Sequence, residues 1–246
     1  MFQHIILCHM TSDPLALLSD LDRATARLLR TVGGLTDADV AAPSLLPGWS
    51  RGHVLAHIAR NADGLGNLLT WASSGVETPM YPGGSPQRDA DIEAGAPRPA
   101  AEQLADVKAS SERFAELADG VPADGWGVMV WGRDGKPFPA ATAVWKRLKE
   151  VEIHHLDLAA GYGAPDWPEA FTLRLLRESA HDFGVRRDAP RMVLNATDLG
   201  AQFAAGDGEG APVISGPGHA LAEWVIGRGV PKALTGQQLP ALPSWG

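Results

Sequence analysis

The chain of 246 residues is long enough to bury a sizeable core, as one large domain or two small ones. Its formal net charge of −8, with no dense Lys/Arg run, argues against a general nucleic-acid or anionic-membrane surface. The single cysteine, Cys8, excludes an internal disulfide framework and any cysteine-rich zinc cluster.

Met1 to Met10 lacks the basic region and long apolar segment of a signal peptide, and no stretch approaches the roughly 18 uninterrupted apolar residues of a membrane span. A cytoplasmic protein without a membrane partner is expected. Cys8 precedes the first convincing helix and reads as part of a mobile tail, with Met10 as an alternative start. Asp13-Pro14 then reads as an N-cap followed by proline at the first helical position, with Leu15, Leu18, Leu21, Leu28 and Leu29 giving an apolar face up to Gly33-Gly34. A turn through Pro43 and Pro47-Gly48 leads to Ser50, a good N-cap. The second helix runs from there to about Trp71, with Val54, Ile58, Leu65, Leu68 and Leu69 on its apolar side, and it carries His53 and His57.

Residues 75–99, rich in Pro, Gly and Asp, read as a long functional loop rather than a packed element. A third helix spans about Ala100 to Ala118. Residues 120–139 form a second connection, which Trp126, Trp131 and Phe138 are expected to pack down. The fourth helix, about Thr142 to Ala160, completes a bundle of the kind that builds ligand and metal sites from inward residues of facing helices. After residues 161–165 the pattern changes to one more helix, Pro168 to Phe183, and three strand-like pieces: Arg191 to Thr197, Gly200 to Ala204 and Pro212 to Ser215. A final helix from Gly218 to about Gly227 precedes a Pro-rich tail. The expected fold is therefore α+β and mainly helical: a metal-binding four-helix bundle over 1–165 and a small α+β domain over 166–246.

Glu150 and His154 stand four apart on the fourth helix and so share one face, about one turn from each other. Val144, Val151 and Leu158 flank that pair on one side, Ile153 and Ala160 on the other, so the polar stripe points inward. A buried carboxylate beside a buried imidazole is costly unless something pairs with both, and a divalent cation does so as a shared ligand. His53 and His57 are both available as the third ligand. Two histidines and one glutamate make a catalytic zinc site with open positions, and the same set also serves non-haem iron. His155 points about 100° away from His154 and reads as structural. Asp157, three residues beyond His154 on the same face, has two readings: an acceptor for the hydrogen bond from that ring, or, the preferred one, an ordinary helix-surface aspartate.

The run Leu45-Leu46-Pro47-Gly48-Trp49-Ser50-Arg51-Gly52-His53-Val54-Leu55-Ala56-His57-Ile58 resembles the opening signature of mycothiol-dependent maleylpyruvate isomerases, within the wider DinB-like family of metal-binding helical bundles. Glu77-Thr78-Pro79-Met80-Tyr81, Arg147-Leu148-Lys149-Glu150-Val151-Glu152-Ile153-His154 and the late Gly227-Arg228-Gly229 extend the likeness over nearly the whole chain from Asp13. The resemblance implies zinc held by His57, Glu150 and His154, leaving His53 as a near-site or packing residue. It implies mycothiol as the thiol cofactor and a cis-trans conversion of maleylpyruvate to fumarylpyruvate, in gentisate-type aromatic catabolism. It further implies that Arg228 serves catalysis as the counter-charge for a small anionic substrate; a helix-end arginine that only favours the dipole is the plainer reading. Arg51, Arg60 and Tyr81 are weaker candidates.

Rotation about a carbon-carbon double bond requires that bond to become single for a moment, and reversible addition of a zinc-activated thiolate achieves this. The chain's own cysteine usage makes an external low-molecular-weight thiol the expected partner. Thiol transfer to another electrophile is the competing enzyme reading, and a non-catalytic metal-stabilised binding protein is the competing reading from another class. Two departures from the family are the N-terminal extension and the sequence His155-Leu156-Asp157, which leaves the orientation of His154 open.

Overall fold

The computed structural model describes residues 13–208, 210–236 and 239–243. Cys8 and Met10 lie outside them. The chain divides into two compact units, Met1–Tyr162 and Gly163–Gly246.

The first unit is helical. Helix α1 (Pro14–Gly33) starts where Asp13 Oδ1 accepts a hydrogen bond from the Leu15 amide at 2.9 Å. Its buried stripe is Leu17, Leu21, Ala24, Leu28 and Val32, at helical spacing, while Leu15 is 64% exposed. Leu21 and Leu28 of the expected face are buried, whereas Leu18 and Leu29 are half-buried at its margin and Leu15 faces solvent. A short helix α2 (Asp37–Ala41) follows, opened by a capping box in which Thr36 and Asp39 bond each other's backbone.

Helix α3 (Arg51–Ser74) is the central element, packed by α4 (Gly84–Gly95), α5 (Ala100–Asp119) and α6 (Thr142–Asp157), and α1 packs against α5 and α6. Crowding from several sides explains why α3 buries Val54, Leu55, Ile58, Leu65, Leu68 and Leu69 rather than a single narrow stripe. Gly52 permits the closest approach: a Cβ there would stand 2.1 Å from the carbonyl oxygen of Ala96, just beyond α4. Arg147, with 1% of its surface exposed, joins the core of the bundle. Its Nη1 donates to the Ile58 carbonyl at 2.7 Å and to Asn61 Oδ1 at 3.1 Å, and its Nη2 to Ser111 Oγ at 3.3 Å. One side chain of α6 therefore ties α3 and α5.

Residues 84–95 form a helix where a loop was expected. The helix has no apolar stripe to announce it, because only Ile92 and Gly95 are buried. Between α5 and α6 a small hairpin pairs β1 (Met129–Trp131) with β2 (Pro137–Pro139), and Trp131 stacks on Trp71 with ring centroids 5.2 Å apart. Trp131 remains 46% exposed, so it covers the surface of α3 rather than entering the core.

The second unit has α7 (Glu169–Val185) and α8 (Gly218–Val225) packed together and against a four-stranded sheet of order β4-β3-β5-β6. Strand β3 (Met192–Ala196) pairs antiparallel with β4 (Ala201–Ala205) and parallel with β5 (Val213–Gly216); β6 (Thr235–Gly236) pairs antiparallel with β5. Asp198 Oδ1 accepts from the Gly218 amide at 2.7 Å, fixing the start of α8. Among the described residues, no helix is long and apolar enough to cross a membrane.

Candidate metal centre

The histidines of α3 have different surroundings because of where the helix begins. Ser50 is the N-cap, so His53 occupies the third helical position, and its Nδ1 lies 2.7 Å from Ser50 Oγ and 3.2 Å from the Ser50 amide. Its other nitrogen faces Glu93 of α4 at 3.3 Å. His53 is a capping residue. His57, one turn on, is buried and turned toward α6. Gly48 takes a left-handed φ of 81° ahead of Trp49, whose ring centroid lies 5.7 Å from that of His57 and 6.0 Å from that of His53.

His57 Nε2 lies 2.9 Å from Glu150 Oε2 and 3.0 Å from His154 Nε2, and His154 Nε2 lies 3.2 Å from the same carboxylate oxygen. The two imidazoles meet edge to face at 90°. All three ligand atoms lie within 4.8 Å of one another, the convergence expected of metal ligands, and among the described residues this is the one such group of His, Cys, Asp or Glu. Ligands at about 2.0–2.1 Å in a tetrahedron stand roughly 3.3 Å apart, so the spacing suits a zinc-sized ion. Three protein ligands also leave a position open, as a catalytic site requires.

Charges around the triad are held by specific neighbours. Burial, then the adjacent His154, pushes the His57 imidazolium down to about 4. Burial opposes charge on His154 too, but hydrogen bonds with Asp157 and Glu150 prevail and raise it to about 9. Burial likewise works against the Glu150 carboxylate, and hydrogen bonds from His154 and His57 outweigh it, holding Glu150 well below the usual carboxylate range. Asp157, fully buried, sets Oδ2 2.8 Å from His154 Nδ1. The local departure from the family pattern therefore still supplies a carboxylate that turns Nε2 of His154 toward the triad.

One neighbour was invisible in the sequence. Arg88 of α4 places Nη2 2.7 Å from His57 Nδ1, and its Nη1 bonds Asp89 at 2.7 Å. A proline- and glycine-rich stretch without an apolar stripe gave no sign that one of its arginines would reach a candidate ligand. On the other face of α6, His155 stacks flat on Tyr162 at 3.8 Å and bonds Thr31 Oγ1 at 2.8 Å. Glu152 there is held by Arg27 at 2.5 Å and by the Tyr162 hydroxyl. Both support the helix rather than the triad, as expected for His155.

The weaker arginine candidates have structural partners. Arg51 donates to the carbonyls of Leu158 and Ala159 at 2.5 and 3.0 Å, and Arg60 pairs with Asp106 and Asp63. Tyr81 lies over Gly64, where a Cβ would come within 2.8 Å of its ring. Arg228 belongs to the second unit, just after α8, where its Nη1 donates to the Ile226 carbonyl at 3.2 Å.

Fold and site together define a helical-bundle protein with a candidate two-histidine, one-glutamate metal centre and an appended α+β unit. Residues 21–159, more than half of the chain, match the family model of the mycothiol maleylpyruvate isomerase N-terminal domain, and the chain belongs to that family. Two solved structures are similar over nearly the whole length: a mycothiol-dependent maleylpyruvate isomerase and a histidine-to-alanine mutant of it. Each is 28% identical with a TM-score of 0.87, over 94% of this chain and 97% of the other. No curated relative matches the sequence significantly.

Proposed function

We propose that the protein is a zinc- and mycothiol-dependent isomerase that converts maleylpyruvate to fumarylpyruvate. The observation that carries this reading is the convergence of His57 Nε2, Glu150 Oε2 and His154 Nε2 in a member of this family. These atoms would hold the ion, with an open side for cofactor and substrate.

Bound together, zinc and mycothiol supply a sulfur nucleophile, kept as thiolate near neutral pH, whose reversible addition makes the substrate's double bond transiently single. The chain's residues position these partners. Asp157 accepts from Nδ1 of His154, which would leave Nε2 to face the ion. Trp49 sets its ring beside that of His57, centroids 5.7 Å apart, and would help to fix the imidazole. Arg228 is the proposed counter-charge for the substrate's carboxylates, which an acidic chain must provide locally.

The test is conversion of maleylpyruvate by the zinc-loaded protein with and without mycothiol. The fumaryl isomer is expected only with the thiol, and the thiol is recovered unchanged. Turnover without thiol, or none with it, overturns the reading. Accumulation of a thioether product instead identifies thiol transfer.

A further inference from the structure

His57 uses both ring nitrogens. Nε2 is turned to Glu150 and His154, whereas Nδ1 is 2.7 Å from Arg88 Nη2. A guanidinium offers donors only, so this contact requires Nδ1 to accept and leaves the ring proton on Nε2, where it donates to Glu150. A metal on Nε2 reverses those roles. A neutral imidazole that ligates through Nε2 carries its proton on Nδ1, and two donors would then face each other across 2.7 Å.

We infer that metal on the triad and Arg88 on His57 exclude one another, so that Arg88 tunes the metal affinity of the site and metal loading releases the N-terminal half of α4. The inference rests on the proposed metal centre. The build of α4 makes such a release local. Its C-terminal end is anchored: Gly95 packs against Ala56, and Gln103 Nε2 donates to the carbonyls of Gly95 and Ala96 at 2.8 and 3.3 Å. Its N-terminal end has no side-chain cap and begins at Gly84, whose φ is 70°. There the hold is Arg88, which bonds the Tyr81 side chain as well as His57 and has a side chain only 13% exposed, with an Nε that has no partner. Moving a cation away from an incoming dication acts in the same direction as removing the donor conflict.

Two measurements on the full chain test this. Competition with a chelator of known affinity is expected to show zinc bound about 10- to 100-fold more tightly by Arg88→Leu than by the native chain, the range of one hydrogen bond to a charged group. Hydrogen exchange on the native chain is expected to quicken over residues 85–90 when zinc is added, while the amides around His57 and His154 slow. An unchanged or weaker zinc affinity in Arg88→Leu overturns the inference and leaves the metal centre standing, as does zinc-slowed exchange over residues 85–90. The exchange result decides if the variant does not fold. A native chain that takes up no zinc overturns both.

Discussion

At His154 the nitrogen turned away from the triad is held by Asp157, a carboxylate with no exposed surface. Asp157→Asn keeps the size and loses the charge, and zinc affinity is expected to fall roughly tenfold or more, read by chelator competition. His57→Ala removes a proposed ligand outright. Zinc content and isomerase turnover should both be lost while the far-UV circular dichroism stays native, and a fully active variant would refute the ligand assignment. The Glu150/His154 pair was legible from spacing alone, since residues four apart on a helix must share a face. The choice between His53 and His57 was not made by that rule, because the two histidines are themselves four apart. What separates them is Ser50: a residue three positions after an N-cap is drawn into the cap.

The helices that bury an apolar face were readable to within a few residues, and α4 was not, because it buries almost nothing of its own. Its place is set by neighbours, chiefly the approach of α3 at Gly52. The atom a Gly52→Ala methyl would meet is backbone and cannot swing aside, so destabilisation of about 1–3 kcal/mol is expected in chemical denaturation. Helix α2 carries a pH signature. Hydrogen bonds from the Thr36 hydroxyl and amide hold the Asp39 carboxyl below its ordinary value of 3.8. A carboxyl whose folded value is depressed contributes stability above its unfolded value and loses it as pH falls through the folded one. The titration midpoint of Asp39 by NMR should therefore lie below 3.8 and rise toward it in Thr36→Ala.

Across the whole molecule, the proposed ligands come from helices with apolar contacts of their own: α3 buries Val54, Leu55, Ile58 and Leu65, and α6 buries Val144, Leu148, Val151 and Ile153. On the proposed function, chelation of the native protein should abolish isomerase turnover, leave the helical circular dichroism in place, and lower Tm by an amount that grows with free zinc in the comparison sample. Collapse of the helices on chelation would favour a metal that serves folding. The second unit was readable as α+β from its short strands, but its sheet order, with β3 central and β5 parallel to it, depends on long-range pairing that local periodicity does not encode.

The two ligand helices are bolted together twice. Arg51, at the start of α3, grips the last carbonyls around the end of α6, and Arg147, from the middle of α6, grips α3 near Ile58. Helix separation would break both holds at once, so release of an ion from the triad by parting α3 from α6 would be opposed by both arginines. Its departure would proceed by exchange of one ligand at a time through the open side, and the half-life of the bound ion would be insensitive to denaturant until the bundle itself unfolds.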